Sequence, residues 1–245
     1  MRLRLLLSPA LEPISFRYPY RLAGVLHRWL GQNAWHDGLS LYSFSWLLGG
    51  HMEGTRLVFP QGATWLLSFY DRVQAERVVE GIFARPYVLA GMKVMQVEVV
   101  ASPNWGERAR LQVLTPVVVR RTRPDGGREY LIWDHPAADE ALTRVFRRKL
   151  EAAGLGHLAS SATMRFDRHY VRARTKLVCI KGIHHRGSLC PVIVEGPPEA
   201  VHFAWLVGAG ELTGCGFGAL GDIVSSKAKR AAGMGSPTRR AKSQT

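Results

Sequence analysis

Cysteine is scarce in this chain: three in 245 residues, Cys179, Cys190 and Cys215, with no Cys-x-x-Cys pair. Three thiols cannot all pair with one another, and together with the missing signal peptide this predicts a reducing, cytoplasmic setting. Long apolar runs are also missing. The N-terminal Met-Arg-Leu-Arg-Leu-Leu-Leu offers three leucines in a row, short of the roughly 7–15 apolar residues of a secretory core, and no stretch approaches the length of a membrane span. No His-Glu-x-x-His, paired-carboxylate or Gly-Lys-Ser/Thr motif occurs. His184 and His185 are neighbours on a predicted strand, so they point to opposite faces and cannot chelate one ion together. Neither a metal nor a cofactor is expected.

Acids are the other shortage. Nineteen Asp+Glu stand against 33 Lys+Arg, for a net charge of +14 and a pI near 10.3. The last nineteen residues hold six bases and no acid, and removing those six leaves +8 on the remainder. A basic folded body points to nucleic acid or to an acidic membrane surface. No amphipathic basic helix stands at either terminus to act as an anchor, so nucleic acid is the expected partner and a membrane is not.

What is present is a hydrophobic fraction of 47%, enough for real cores. Arg2–Leu7 reads as a strand. In Arg21–Leu30 the residues Leu22, Val25, Leu26, Trp29 and Leu30 share one helical stripe. Leu39–Leu47 alternates with period two, Thr64–Tyr70 is a further strand, and Asp71 is placed to cap a helix through about Ala84. Val88–Val100 completes a β-α-β-β-α-β order, the ferredoxin-like unit. A second pass follows: Leu111–Arg120 and Glu129–Trp133 as strands, a helix from Pro136 through Ala153, strands at Arg172–Ile180 and Pro191–Glu195, a helix at Pro198–Val207, and a last strand from Phe217. The predicted class is therefore α+β, with tandem ferredoxin-like domains at 1–105 and 106–226. Residues 227–245, rich in Lys, Arg, Gly and Ser without apolar periodicity, are expected to be a disordered basic tail.

Three groups of residues could carry chemistry. His27 lies on the flank of the first helical stripe, and His36 follows in Ala34-Trp-His-Asp-Gly38. Two imidazoles near pH 7 form a natural acid–base pair for breaking an RNA phosphodiester, one taking the 2′-hydroxyl proton and the other donating to the departing 5′-oxygen. The plainer alternative is that both satisfy local hydrogen bonds. The second group is Gly208-Ala-Gly-Glu-Leu-Thr-Gly-Cys-Gly-Phe-Gly218, whose Gly208, Gly210, Gly214, Gly216 and Gly218 suit either an amide cradle for phosphate or a tight packing turn. Its spacing and its preceding helix do not fit a dinucleotide-binding loop. The third is a set of basic segments, including Arg144, Arg147 and Arg148 beside Lys149 on one helix, and Arg172 and Arg174 further on. Aromatics are few near them, which favours recognition of backbone and duplex shape.

Taken together, Ile14–His27, Trp35-His-Asp-Gly-Leu-Ser-Leu-Tyr-Ser-Phe-Ser45 and the Gly208–Gly218 loop resemble the CRISPR repeat-processing endoribonucleases of the repeat-associated mysterious protein (RAMP) superfamily. The resemblance spans nearly the whole chain apart from the tail. It implies tandem ferredoxin-like domains and metal-independent cutting of precursor CRISPR RNA, the 2′-hydroxyl acting as internal nucleophile. His36 matches the family's histidine and His27 the tyrosine/histidine position of the first helix. Two positions depart: Ser40 stands where some members have a lysine, and Leu212 where a basic residue often follows the loop's Glu. The implied partner is CRISPR repeat RNA. The alternative is a non-catalytic RNA-binding subunit among other subunits of a CRISPR effector complex; a homodimer is left open.

Overall fold

The computed structural model describes residues 1–31 and 39–223. His36 and the basic tail therefore lie outside the described residues. The first unit is built from β1 (Arg2–Leu7), α1 (Pro19–Leu30), β2 (Tyr42–Phe44), a short hairpin β3 (His51–Glu53) and β4 (Arg56–Val58), β5 (Ala63–Phe69), α2 (Arg72–Ala84) and β6 (Val94–Val100). Its four-stranded sheet has the order β2-β5-β1-β6, and β1 pairs antiparallel with both β5 and β6. Alternation along β1 sends Leu3, Leu5 and Leu7 into the core. There they meet the α1 stripe of Leu22, Val25, Leu26, Trp29 and Leu30. Trp29 and Trp65 lie 5.5 Å apart at their ring centres, and Phe44 meets Trp65 edge-on at 5.9 Å. The Asp71 carboxylate accepts the Val73 N–H at 2.9 Å, capping α2.

The second unit runs β7 (Arg108–Val113), β8 (Arg120–Thr122), β9 (Arg128–Tyr130), α3 (Ala138–Ala152), α4 (Gly156–Ala159), β10 (Thr163–Phe166), β11 (Arg174–Ile180), β12 (Ile183–Leu189), β13 (Val192–Glu195), α5 (Pro198–Val207) and β14 (Leu220–Ile223). Its sheet order, β10-β13-β7-β14, repeats that of the first unit. Two ferredoxin-like units stand in tandem.

Several predicted strands are drawn differently. Leu111–Arg120 is not one strand. β7 ends at Val113, and Pro116, which cannot donate to a ladder, stands between it and β8. Val88–Val100 shortens to β6 because Ala90 and Gly91, both at positive φ, form a turn in which the Val88 N–H donates to the Met92 carbonyl and the Met92 N–H to the Leu89 carbonyl. In the second unit the edge strand beside β13 is the four-residue β10, which shows little periodicity in sequence. The predicted strand at Arg172–Ile180 instead becomes β11 of a separate two-stranded ribbon with β12.

Helix α5 explains how the units join. Every residue from Ala200 to Val207 except His202 is buried, an apolar surface all round that only a helix covered on both sides can bear. One side packs on its own sheet, the other on the open face of the first sheet. Across that seam Ser43 donates to the Leu206 carbonyl at 2.8 Å, and the Arg2 guanidinium donates to the Trp205 carbonyl at 2.5 Å. Among the described residues no helix is long and apolar enough to cross a membrane.

Candidate nucleic-acid interface

A cleft of about 780 Å³ opens between α3, the β8–β9 hairpin, the glycine loop and the segment Leu39–Ser40. Its walls carry six bases, Arg120, Arg121, Arg128, Arg144, Arg148 and Lys149, against one acid, Glu211. The charge is organised. Arg120 is held by Glu211, Arg121 by Glu129, and Arg144 approaches Glu140 at 3.9 Å. Arg128 and Arg148 make no ion pair among the described residues, and they come from different walls. A concave surface with this excess of one sign concentrates polyanions and attracts phosphate.

The predicted basic helix face divides in two. Arg144 and Arg148, four residues apart, share the cleft side of α3. Arg147 turns away and donates to the carbonyls of Ala162 (3.0 Å) and Ser160 (3.2 Å), tying α3 to the approach of β10. The two arginines also line a second, shallower groove of mixed charge on the outer face of α3. Arg172 and Arg174 are exposed on or beside the β11–β12 ribbon and take no part in the cleft wall.

Lys149 is a separate case. The sequence groups it with the arginines, yet it lies on the inner stripe, four residues from Val145 and three from Phe146, and is only 1% exposed. That spacing is the signal that could have marked it. Its ammonium donates to the Val207 carbonyl and to Thr213 Oγ1, both at 3.0 Å. Burial pushes its pKa down to about 7, opposed by the nearby Glu211 carboxylate.

The glycine loop folds inward. The N–H groups of Gly208, Ala209, Glu211, Cys215, Gly216, Phe217 and Gly218 all donate to main-chain carbonyls, so those amides are committed to the fold and do not form an outward cradle. Gly208, Gly210, Gly214, Gly216 and Gly218 are all buried. At Gly218, with φ near +61°, a side chain would collide with the Ala209 carbonyl. At Gly214 it would fall on Ser40 Oγ and lie 2.9 Å from the Tyr42 hydroxyl. The packing reading of these glycines fits this geometry. What the loop turns to the cleft is Glu211, Leu212, Thr213 and Cys215.

The same loop touches the first unit where the predicted histidines lie in sequence. Its 3-10 turn, Thr213–Cys215, packs on both β2 and α1. Trp46 donates from its indole N–H to the Gly216 carbonyl at 2.8 Å, and Thr213 Oγ1 reaches the Ser40 carbonyl at 3.5 Å. His27 is half-buried on α1, its carbonyl accepting the Gly31 N–H at the helix end. Ser40 lines the cleft four residues after His36. His184 is exposed, while His185 is buried beside Tyr130 and Phe217. Burial and then the Arg120 and Arg128 charges hold the His185 imidazole below its ordinary pKa, which favours the neutral ring. Among the described residues no cluster of three or more His, Cys, Asp or Glu could hold a metal ion.

No curated protein sequence matches the chain. Solved structures do match its fold over most of its length. A Cas6-related protein from Pyrococcus furiosus is 20% identical, with 93% of this chain and 99% of that one covered at a TM-score of 0.79. A CRISPR-associated protein Cas6 is 19% identical, with 91% and 99% covered at 0.77. A RAMP protein that binds different RNA substrates is 18% identical, with 92% and 100% covered, also at 0.77. Residues 101–221 match the family model described as CRISPR associated protein Cas6, C-terminal. By that match over the second unit and by the shared fold of both units, the chain is similar to the Cas6 proteins.

Proposed function

We propose that the chain is an endoribonuclease that cuts the repeat of precursor CRISPR RNA, without a metal, to release guide RNAs. The observation that carries this reading is the cleft. Arginines from two walls, Arg128 and Arg148 among them, face a space whose remaining wall includes Ser40, just past His36 in the chain, and whose glycine turn rests on the helix bearing His27. The likeness to a RAMP protein that binds RNA substrates supports the same choice of ligand.

In the proposed reaction the arginines draw in the phosphodiester backbone and hold it against the loop. One of His27 and His36 takes the proton from the 2′-hydroxyl. The 2′-oxygen attacks phosphorus, the bond to the 5′-oxygen breaks, and the other imidazole supplies the proton that the departing oxygen needs. The products are a 2′,3′-cyclic phosphate and a 5′-hydroxyl. Ser40 carries no charge, so the negative charge that builds on phosphorus is met by the imidazolium and by cleft arginines.

Incubation of the purified protein with repeat RNA in EDTA, beside a substrate with a single 2′-deoxy at the cut site, tests the reading. Cleavage of the first and not the second is the expected result. Tight binding with both RNAs intact would instead make the chain a non-catalytic holder of guide RNA.

A further inference from the structure

A buried lysine needs an explanation that a buried arginine at a surface cleft does not. Removing an ammonium from water costs several kcal/mol, and a methionine of similar length would fill the same space without that cost. Lys149 nevertheless sits at 1% exposure, under the cleft, with two of its three donors placed on oxygens of other elements. One acceptor, the Val207 carbonyl, is the last residue of α5, where the helix dipole favours a cation. The other is Thr213 Oγ1, the first residue of the 3-10 turn.

Thr213 is itself 1% exposed and extends the chain of contacts across the seam between the units. Its hydroxyl is directed at the Ser40 carbonyl at 3.5 Å. The next residue, Gly214, lies so close to Ser40 Oγ and the Tyr42 hydroxyl that a methyl group would not fit. Ser40 in turn hydrogen-bonds Tyr42 through its side chain. A cation in the second unit is thus linked, through one hydroxyl and one close-packed turn, to the strand that enters β2 of the first.

We propose that Lys149 is a positioning residue: its ammonium fixes the Thr213–Cys215 turn, and the turn fixes Ser40 and packs on α1, the helix that bears His27. The inference rests on the nuclease reading and adds to it a group that touches no RNA. Lys149 and Thr213 act as one unit, so loss of either removes the whole effect.

The test compares Thr213→Val, which keeps the shape and deletes the hydroxyl, with Thr213→Ser, which restores it, and with Lys149→Met. Two readouts are taken on the full chain: single-turnover cleavage of repeat RNA, and amide hydrogen exchange of residues 39–44 in the free protein. Thr213→Val is expected to cut about 10²-fold more slowly with its affinity for RNA unchanged, and to exchange faster across residues 39–44. Thr213→Ser is expected to match the parent in both, and the Thr213→Val/Lys149→Met double variant to be no slower than either single one. Should Lys149→Met fail to fold, the threonine pair decides alone. A Thr213→Val variant with parental cleavage and parental exchange overturns the proposal, as does a loss confined to RNA affinity or one that serine does not restore. If the parent cuts no RNA, the nuclease reading falls while the exchange arm still decides the Lys149–Thr213–Ser40 linkage.

Discussion

Glu211 accepts three hydrogen bonds from Arg120: from its backbone N–H at 3.0 Å, from Nε at 2.9 Å and from Nη2. The side chains are only 13% and 24% exposed, so this pair, with both guanidinium donors on Oε2 and the backbone N–H on Oε1, is largely withdrawn from water, and it pins the glycine loop to the β8–β9 hairpin. It also removes one arginine from the positive field of the cleft.

Glu211→Ala should therefore move two properties in opposite directions. Leaving the Arg120 guanidinium without its partner is expected to cost about 3 kcal/mol of stability, read as a lower midpoint in urea. RNA binding, measured at low salt, is expected to tighten, because the freed cation faces the cleft. Its salt dependence is expected to steepen by about 0.7–0.9 in log–log slope, the share of one phosphate contact.

The arginines of α3 should separate by role. Arg148→Ala, and likewise Arg128→Ala, is expected to weaken binding of all RNAs alike and to reduce the salt slope by about 0.7–0.9. Arg147→Ala is expected to leave the slope alone and to lower stability by about 1–2 kcal/mol, since its bonds go to the Ala162 and Ser160 carbonyls. Binding isotherms at several salt concentrations, beside denaturation curves, distinguish the two classes.

The depressed pKa of Lys149 gives stability a pH slope of known sign. Between about 7 and the ordinary lysine value of 10.5 the unfolded chain holds a proton that the folded chain releases. Stability from this group is therefore lowest below pH 7 and climbs as pH rises through that window. Lys149→Met should flatten this climb. Urea midpoints of both proteins between pH 6.5 and 9.5 check it, with parallel curves counting against the assignment.

Gly214→Ala should act locally. Its methyl group would press on Ser40 Oγ and the Tyr42 hydroxyl, at the contact between the glycine turn and the first unit. Cleavage is expected to fall about tenfold or more while RNA affinity holds. Gly218→Ala, strained at positive φ and blocked by the Ala209 carbonyl, is expected to lower thermal stability by several degrees instead.

Much of the first unit was legible because its signals are local. The α1 stripe, the short strand read at Thr64–Tyr70 and the Asp71 cap each act within a few residues. The second unit was harder to read. β10 is four residues long, too short to show a period, whereas β11 runs seven residues and closes on β12 through Lys181-Gly182, both at positive φ. Local alternation identifies a strand but not the sheet that it joins. At the cleft, charge alone grouped Lys149 with Arg144, Arg147 and Arg148; only three-dimensional packing separates a buried cation, a carbonyl clamp and two exposed cations on the cleft side. The Arg120–Glu211 pair spans 91 residues and left no trace in either local pattern.

The acid–base assignment of His27 and His36 is tested most directly with a repeat RNA whose 5′-bridging oxygen at the cut site is replaced by sulfur. A thiolate leaves without a proton, so the variant lacking the general acid should regain its rate on this substrate. The account predicts that His27→Ala and His36→Ala both cut the ordinary RNA slowly, and that one of the two recovers on the sulfur substrate while the other does not. Parental rates for both variants on the ordinary RNA would contradict it.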